Sequence, residues 1–280
     1  MVNTSISSVQ VIKKSQGIAC SQSDLLAVEE PLEIRLGFGG LIDRKEKSIS
    51  VTMRTPGQDL ELAIGFLFTE GIINATHQVL SVRHCEHVKP EEHGNVIRVE
   101  LQPEVEFDLS KLDRHFYTTS SCGVCGKTSI EAVHTTCGII LTANKVSENI
   151  IHQSPDKLRE AQRVFEYTGG LHAAGLFSID TGNLLLMRED VGRHNAVDKL
   201  IGALLNDENI KVEQTFILVS GRASFELVQK VVMAKIPIMA AVGAPSSLAA
   251  DLAGKTGLTL LGFVRNESFN IYCGNERIEN

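Results

Sequence analysis

Apolar and charged residues alternate along the first third of the chain, in a pattern that is typical of half-buried β-strands. The alternation is clearest from Pro31 to Leu36 and from Ser48 to Arg54. In the second stretch, Ile49, Val51 and Met53 are predicted to share one face of a strand. Glycine or proline follows each stretch, which indicates that the chain turns there.

A helical pattern follows these two strands. Asp59 is a suitable N-cap for a helix that continues through Phe68, and Gly71 suits the end of that helix. Two more strands are predicted, from Val79 to Val88 and from Asn95 to Leu101. Together these elements predict a small α+β domain, followed by a charged linker that contains proline.

The N-terminal residues are rich in Ser, Thr, Val and Gln and lack the continuous apolar core of a signal peptide. We expect residues 1–22 to form a disordered tail and residues 23–110 to form the α+β domain. Without an export signal, we expect a cytoplasmic protein whose six cysteines are reduced thiols rather than a disulfide framework.

Short, fully apolar runs alternate with helical segments in the second half of the chain. This alternation indicates a mostly parallel or mixed sheet that is covered by helices on both faces. We therefore predict a three-layer α/β sandwich domain over residues 111–280. The predicted strands are Ala173–Ile179, Leu184–Met187, Thr215–Val219, Ile238–Val242 and Thr259–Leu261, and the predicted helices begin at Ser154-Pro155, Asn195, Ser224 and Ser246.

Charge and hydropathy narrow the range of partners. A chain of 280 residues with a net charge of -7 is not a general nucleic-acid binder, although it can still hold a locally basic pocket. No apolar run approaches the length of a membrane span. We therefore expect neither a nucleic-acid partner nor a membrane partner.

Two thiols, Cys122 and Cys125, lie three positions apart, and a glycine follows each of them. The stretch Ser129–His134 is predicted to begin a helix. Backbone N–H groups at a helix start and the charge of Lys127 both favour the thiolate form of a nearby cysteine. The thiolate is the nucleophilic form, so this pair is the candidate reactive site.

Four interpretations of the thiol pair compete. A thioredoxin-like dithiol normally follows a strand in a βαβ unit, and no such context is clear here. A structural zinc site needs four ligands, whereas Cys20, Cys85, Cys137 and Cys273 are scattered single residues. A tight loop of small, inert residues is the third interpretation. The fourth is a reactive cysteine that carries sulfur on a loop.

Polar residues follow several predicted strands, where ligands of open α/β sheets bind. Arg193, His194 and Asn195 crowd one helix start, which suits an anionic or heteroaromatic ligand. Asp190 can cap that helix, and His194 can pair with Asp198 four residues on. Simple capping beside a surface histidine is the alternative interpretation of this cluster.

Two further clusters have the same strand-end position. In Ser220–Ser224, a glycine turn and Arg222 could hold a phosphate, or the segment could be an ordinary helix cap. Leu261–Arg265 ends the last predicted strand with a glycine and an arginine. The chain contains no Walker loop and no G-x-G-x-x-G sequence, so standard ATP or NAD binding is not indicated.

His172 lies in a His-Ala-Ala sequence. A zinc nucleoside deaminase has H-x-E at such a motif, with P-C-x-x-C downstream. Here an alanine stands at the position of the glutamate, so the deaminase site is absent. His172 suits a structural role and a pocket role equally well.

Four motifs together resemble the FdhD family, the sulfur carriers (sulfurtransferases) that activate formate dehydrogenase. They are Ser121-Cys-Gly-Val-Cys-Gly126, Phe68-Thr-Glu-Gly71, Glu189-Asp-Val-Gly-Arg-His-Asn-Ala-Val-Asp-Lys199 and Ser220-Gly-Arg-Ala-Ser-Phe-Glu226. The resemblance extends from about Pro31 to the C-terminus. It implies a cytidine-deaminase-like α/β fold without the catalytic zinc.

The resemblance also implies the chemistry. Cys122 would receive sulfane sulfur from a cysteine desulfurase as a persulfide, with Cys125 in a supporting role. The sulfur would pass to the molybdenum (or tungsten) of a bis(molybdopterin guanine dinucleotide) cofactor before the cofactor enters apo formate dehydrogenase. A cytoplasmic homodimer without a permanently bound metal is expected. The segment implied to bind the cofactor is Phe263-Val264-Arg265-Asn266-Glu267-Ser268, to which we add Arg222, Arg193, His194 and Asn195 as candidates.

Two other functions remain open. A dithiol–disulfide oxidoreductase would pair Cys122 with Cys125 reversibly and would need no nucleotide pocket. A non-catalytic chaperone would shield the cofactor or escort the dehydrogenase, and its activity would survive Cys122→Ala.

Overall fold

The computed structural model describes residues 5–105 and 138–280. Cys122, Cys125, Cys137 and the predicted helix start at Ser129–His134 lie outside the described residues. The described chain has a mixed α/β architecture that contains a small four-stranded sheet and a larger six-stranded sheet.

A β-hairpin occupies most of the region predicted as a disordered tail. Strands β1 (Ile6–Ser15) and β2 (Ile18–Ala27) pair antiparallel along their whole length. The turn residues Gln16 and Gly17 both have positive φ, as the tight hairpin turn requires. The prediction is therefore wrong over residues 6–22. Most side chains of the hairpin are exposed, so no one-sided burial pattern marked these strands.

The small sheet contains β3 (Glu30–Phe38), β4 (Lys45–Arg54), β5 (Val79–His84) and β6 (Val96–Leu101), in the order β4-β3-β6-β5. Helix α1 (Asp59–Thr69) contributes to the hydrophobic core of this sheet. The prediction of a single apolar face on β4 is only partly right. Ile49 is 2% exposed, but Val51 is 56% and Met53 41% exposed, because a register shift opposite Ile34 reverses the alternation.

Asp59 does not cap α1 as predicted. The N-cap is Gln58, in left-handed backbone geometry, and its side chain makes no capping hydrogen bond. Both carboxylate oxygens of Asp59 instead accept hydrogen bonds from the fully buried guanidinium of Arg54, at 3.0 Å each. A buried cation needs such a partner, and this need outweighs capping.

The larger sheet has the order β13-β12-β11-β10-β8-β9. Only the pairs β10–β11 and β11–β12 are parallel, so the sheet is mixed. A short pair, β7–β14, lies apart from it. The strands are β7 (Val146–Ser147), β8 (His172–Ser178), β9 (Leu184–Asp190), β10 (Thr215–Val219), β11 (Ile238–Ala241), β12 (Thr259–Gly262), β13 (Asn270–Cys273) and β14 (Ile278–Glu279).

Helices cover both faces of this sheet. The helices are α2 (Glu148–Ala161), α3 (Arg163–Thr168), α4 (Arg193–Leu205), α5 (Phe225–Met233) and α6 (Ser247–Thr256). One core cluster joins α4, α5 and α6 to the sheet, and a separate cluster joins α2 to it. Stacked Phe177 and Phe216, with ring centroids 5.1 Å apart, lie in the second cluster.

Helix α2 begins seven residues before the predicted start. Ser147 is the N-cap, and Pro155 lies inside the helix. A proline has no N–H group for the carbonyl four residues earlier, which here belongs to Ile151. The Ser154 hydroxyl donates to that carbonyl at 2.7 Å. The Ser154 side chain therefore satisfies the carbonyl that Pro155 leaves without an N–H donor, and Ser154 does not cap the helix.

Helices α1 and α4 cross in close contact and join the two sheets. The crossing depends on Gly65 and Gly202, since a Cβ atom on either would overlap a backbone carbonyl of the other helix. Buried ion pairs flank this contact, including Lys230 with Asp198 at 3.0 Å. The string from Glu189 to Lys199 thus contributes much of the junction between the two units.

No helix within the described ranges is both long enough and apolar enough to cross a bilayer.

Candidate functional site

The carboxyl ends of β10, β11 and β12 meet at one edge of the larger sheet. Strand β8 runs antiparallel to β10, so its first residue, His172, lies at the same edge. Asp190 pairs with His172 in the sheet and ends β9 there. The three polar clusters found in the sequence thus lie along one rim.

The loops after β10 and β11 form a compact backbone cradle. Gly243 donates its N–H to the Gly221 carbonyl at 2.9 Å, and Ala223 forms a bridge with Pro245. A Cβ on Gly243 would lie 3.0 Å from Cγ of Arg222, so a larger residue here would crowd the two loops. Arg222 itself is exposed. It forms no ion pair within the described part of the chain.

The next loop presents an aromatic ring beside this cradle. Phe263 donates its N–H to the Gly243 carbonyl at 3.1 Å. Its φ of 54° lies in the left-handed region, and its side chain is 41% exposed. A bulky residue seldom adopts this backbone conformation, and such strained residues are frequent at functional sites. The loop therefore holds an aromatic face toward solvent at the rim.

The remaining residues of this predicted cofactor segment differ in their availability. Val264 is buried at 1% exposure and packs in the α2-side core. The amide of Asn266 donates to Asp156 on α2 at 2.8 Å. Arg265, Glu267 and Ser268 have exposed side chains. Only part of the segment is thus free to face a ligand.

Asn195 holds the two units together instead of facing the rim. Its amide nitrogen donates to the Met53 carbonyl at 2.8 Å and to Asp190 at 3.0 Å. Its amide oxygen accepts from the Thr52 hydroxyl at 3.1 Å. With 7% exposure and these partners, Asn195 has no free group for a ligand.

Asp190 does not cap α4, whose N-cap is Gly192. Its carboxylate forms a buried ion pair with Lys199 at 2.7 Å. It also accepts from the N–H groups of Gly192 and Thr55, at 2.8 and 3.1 Å. The capping prediction was wrong because Asp190 is the counter-ion of a buried lysine.

His194 does not pair with Asp198 as predicted. Asp198 faces the junction and accepts from Thr69 at 2.8 Å, beside its ion pair with Lys230. His194 instead approaches Glu226 on α5, with Nε2 2.8 Å from Oε2. Glu226 was missed as a candidate site residue, although it ends one of the quoted motifs.

His172 is neutral at neutral pH. Burial lowers the pKa of its imidazole, and the neighbouring Arg193 and His194 lower it further. Arg193 and His194 therefore lie close to His172 at the rim. Arg193, Arg222 and Arg265 place three guanidinium groups along this edge, in a protein whose net charge is -7.

The described thiols differ from a reactive cysteine. Burial raises the pKa of Cys85 and of Cys273, so neither is readily ionised near neutral pH. Cys20 is exposed on the hairpin. Among the described residues, no group of three or more His, Cys, Asp or Glu side chains is placed to hold a metal ion.

Comparison with known proteins gives a consistent family match. The profile of the FdhD/NarQ family matches residues 27–279. The sulfur carrier protein FdhD of Streptomyces coelicolor is 47% identical over 274 residues, covering 96% of this chain and 94% of that protein. The sulfur carrier protein FdhD of Mycolicibacterium paratuberculosis is 49% identical over 273 residues, covering 96% and 97%.

A solved structure has the same fold. The crystal structure of a candidate formate dehydrogenase accessory protein from Desulfotalea psychrophila superposes with a TM-score of 0.77. It covers 99% of this chain and 100% of its own, at 24% sequence identity. At this identity the likeness concerns the fold alone.

Proposed function

Because the chain belongs to the FdhD/NarQ family, we propose that it is a sulfurtransferase of molybdenum cofactor biosynthesis, required for formate dehydrogenase activity. It accepts sulfane sulfur from a cysteine desulfurase as a persulfide on Cys122. It passes that sulfur to the metal of the bis(molybdopterin guanine dinucleotide) cofactor, which is its substrate. The relatives named as sulfur carriers, at nearly half identity over almost the whole chain, carry this proposal.

The loading step is a thiolate exchange. The Cys122 thiolate attacks the outer sulfur of the desulfurase persulfide, a new S–S bond forms, and the desulfurase cysteine leaves as a thiolate. No net oxidation occurs in this step. Cys125 has a supporting role in handling this sulfur. The raised pKa of Cys85 and of Cys273 makes both thiols poor competitors for the sulfur.

The rim of the larger sheet supports binding of the cofactor's nucleotide part. Arg222 is exposed at this edge and can contact a diphosphate through its guanidinium group. The exposed ring of Phe263 can stack on a purine base. Arg265 adds a second positive charge next to that ring. These groups would hold the cofactor while sulfur arrives.

The remaining features follow from the same family membership. We propose a cytoplasmic homodimer with a cytidine-deaminase-like fold and no permanently bound metal. Its partners would be the desulfurase, the cofactor and the apo-dehydrogenase.

Intact-protein mass spectrometry tests the carrier role directly. After incubation with a cysteine desulfurase and cysteine, the wild-type chain should gain the mass of one sulfur, and Cys122→Ala should gain none. Cys20→Ala is the matched control, because Cys20 is exposed and remote in sequence from the pair. It should load sulfur like the wild type.

Other mass changes would replace this proposal. Sulfur that persists on Cys122→Ala but disappears on Cys125→Ala would move the carrier role to the second thiol. A loss of two hydrogens on oxidation, without any sulfur gain, would identify a dithiol oxidoreductase. A fully active Cys122→Ala in a dehydrogenase activation assay would indicate a chaperone.

Arg222→Ala is expected to weaken GDP binding roughly 10-fold or more, since a charged hydrogen bond to phosphate contributes about 1.5–3 kcal/mol. Isothermal titration calorimetry on the full chain measures this effect. Arg163→Ala, which removes an exposed arginine on α3, is the control and should bind GDP normally. Equal affinities for both variants and the wild type would remove Arg222 from the cradle.

A further inference from the structure

Glu226 is a carboxylate with incomplete hydrogen bonding at the rim. Its Oε2 lies 2.8 Å from Nε2 of His194, and the two side chains are 11% and 13% exposed. The contact is not aligned along the imidazole N–H, and Oε1 of Glu226 has no hydrogen-bond partner among the described residues. Ser224, the N-cap of α5, also has a buried hydroxyl with no partner within residues 5–105 and 138–280.

Three other carboxylates near this edge each accept at least two hydrogen bonds. Asp190 has Lys199 and several N–H donors. Glu189 accepts from the N–H groups of Val164 and Phe165, at 3.1 and 3.0 Å. Glu61 receives two hydrogen bonds from Arg188. Glu226 therefore stands apart, since a buried carboxylate oxygen without a donor is costly unless a ligand supplies one.

The position of Glu226 relates it to the nucleotide cradle. It lies in the first turn of α5, four residues after Arg222 on the same loop and helix start. The first turn of α4, with Arg193 and His194, lies on its other side. Arg222 and Glu226 thus belong to one loop and helix start, at the strand end where the proposed ligand would bind. The exposed part of the side chain and its soft terminal torsion allow an oxygen to turn toward that ligand.

We propose that Glu226 is a specificity-determining residue that recognises a 2-amino-4-oxopyrimidine edge. This edge presents a ring N–H and an exocyclic amino group side by side, which match the two oxygens of one carboxylate. Each oxygen has two lone pairs, so His194 can keep its contact while the ligand binds. The inference rests on the proposed function, because guanine and the pterin of the cofactor both carry this edge.

The proposal excludes bases that lack the donor pair. Adenine presents a ring acceptor where guanine presents an N–H, and this acceptor would face the negative carboxylate. Hypoxanthine keeps the ring N–H but lacks the amino group. If guanine occupies the position, full-length wild-type protein should therefore bind GDP roughly 10-fold to 100-fold more tightly than IDP, from the loss of one charged hydrogen bond, and should bind ADP no better than IDP.

Calorimetric titrations of wild type and Glu226→Gln with GDP, IDP and 6-hydroxymethylpterin test the assignment. Glu226→Gln keeps the size of the side chain, and its thermal unfolding checks that the fold is intact. In this variant the preference for GDP over IDP should fall to about twofold or less. Glu208→Gln changes an exposed carboxylate beyond the C-terminal end of α4. This control variant should keep the full preference for GDP over IDP.

Guanine and the pterin both carry this edge, and the titrations distinguish which of them binds to Glu226. If guanine occupies the position, Glu226→Gln weakens GDP and leaves the pterin unaffected. If the pterin occupies it, the variant weakens the pterin, and wild-type GDP and IDP bind alike. Unchanged affinities for both ligands in Glu226→Gln would overturn the inference while leaving the proposed function intact. A wild-type chain that binds neither ligand and gains no sulfur at Cys122 would instead overturn the proposed function.

Discussion

Gly202→Ala is expected to lower the free energy of unfolding by about 3 kcal/mol, at the upper end of overpacking effects. A Cβ on Gly202 would overlap the carbonyl of Glu61 in α1. This obstacle is backbone within a helix, so no side chain can rotate away from it. The two helices would have to separate, which would loosen the junction between the two sheets. Urea unfolding followed by circular dichroism measures the loss.

Gly254→Ala is the matched control for this experiment. Gly254 also lies within a helix, but it is exposed and a Cβ there would meet no atom within 4 Å. Alanine should stabilise this helix by up to about 1 kcal/mol. Gly65→Ala should resemble Gly202→Ala, since its Cβ would overlap the carbonyl of Asp198. A Gly202→Ala variant as stable as the wild type would show that the helices cross less closely.

Lys199→Met is expected to destabilise the protein by about 3–5 kcal/mol, the usual effect of removing one partner of a buried ion pair. Lys199 is 1% exposed and Asp190 is fully buried. The lysine also donates to the Thr55 carbonyl at 2.8 Å. Methionine fills a similar volume but leaves a buried carboxylate with no cation. Thermal and urea unfolding at neutral pH measure the effect.

A double variant distinguishes the effect of the unpaired charge on stability from the effect of altered packing. The double variant Asp190→Asn with Lys199→Met removes both charges and should recover part of the lost stability, because no unpaired ion remains. Lys255→Met, at an exposed position on α6, should change stability by less than about 0.5 kcal/mol. If Lys199→Met behaved like Lys255→Met, the buried pair would contribute little.

The local pattern of the sequence predicted most elements of the larger sheet. Period-two and fully apolar runs marked β8 through β12, because each strand buries its own side chains. The strand-end position of Arg222 and Phe263 also followed from the pattern. Pro155 misled the prediction of α2, since the compensating bond from Ser154 to Ile151 forms only in the finished helix.

Partners distant in sequence contribute to other failures. Asp198, Asn195 and Asp190 each suited a local role at the start of α4, but each also bonds to a residue of the other unit, 129 to 143 residues away. No local sequence pattern predicts such long-range hydrogen bonds. Glu226 was overlooked for a similar reason, since its partner His194 lies on another helix.

Phe263 is an unfavourable residue for stability at its position in the fold. Its left-handed backbone would suit glycine, and a β-carbon there costs about 1–2 kcal/mol. The ring contributes little to the core in return, being 41% exposed. Selection for a more stable fold alone would therefore replace it with glycine. The phenylalanine is consistent with selection for what the ring contacts, so stabilising the protein at this position would be expected to impair its activity.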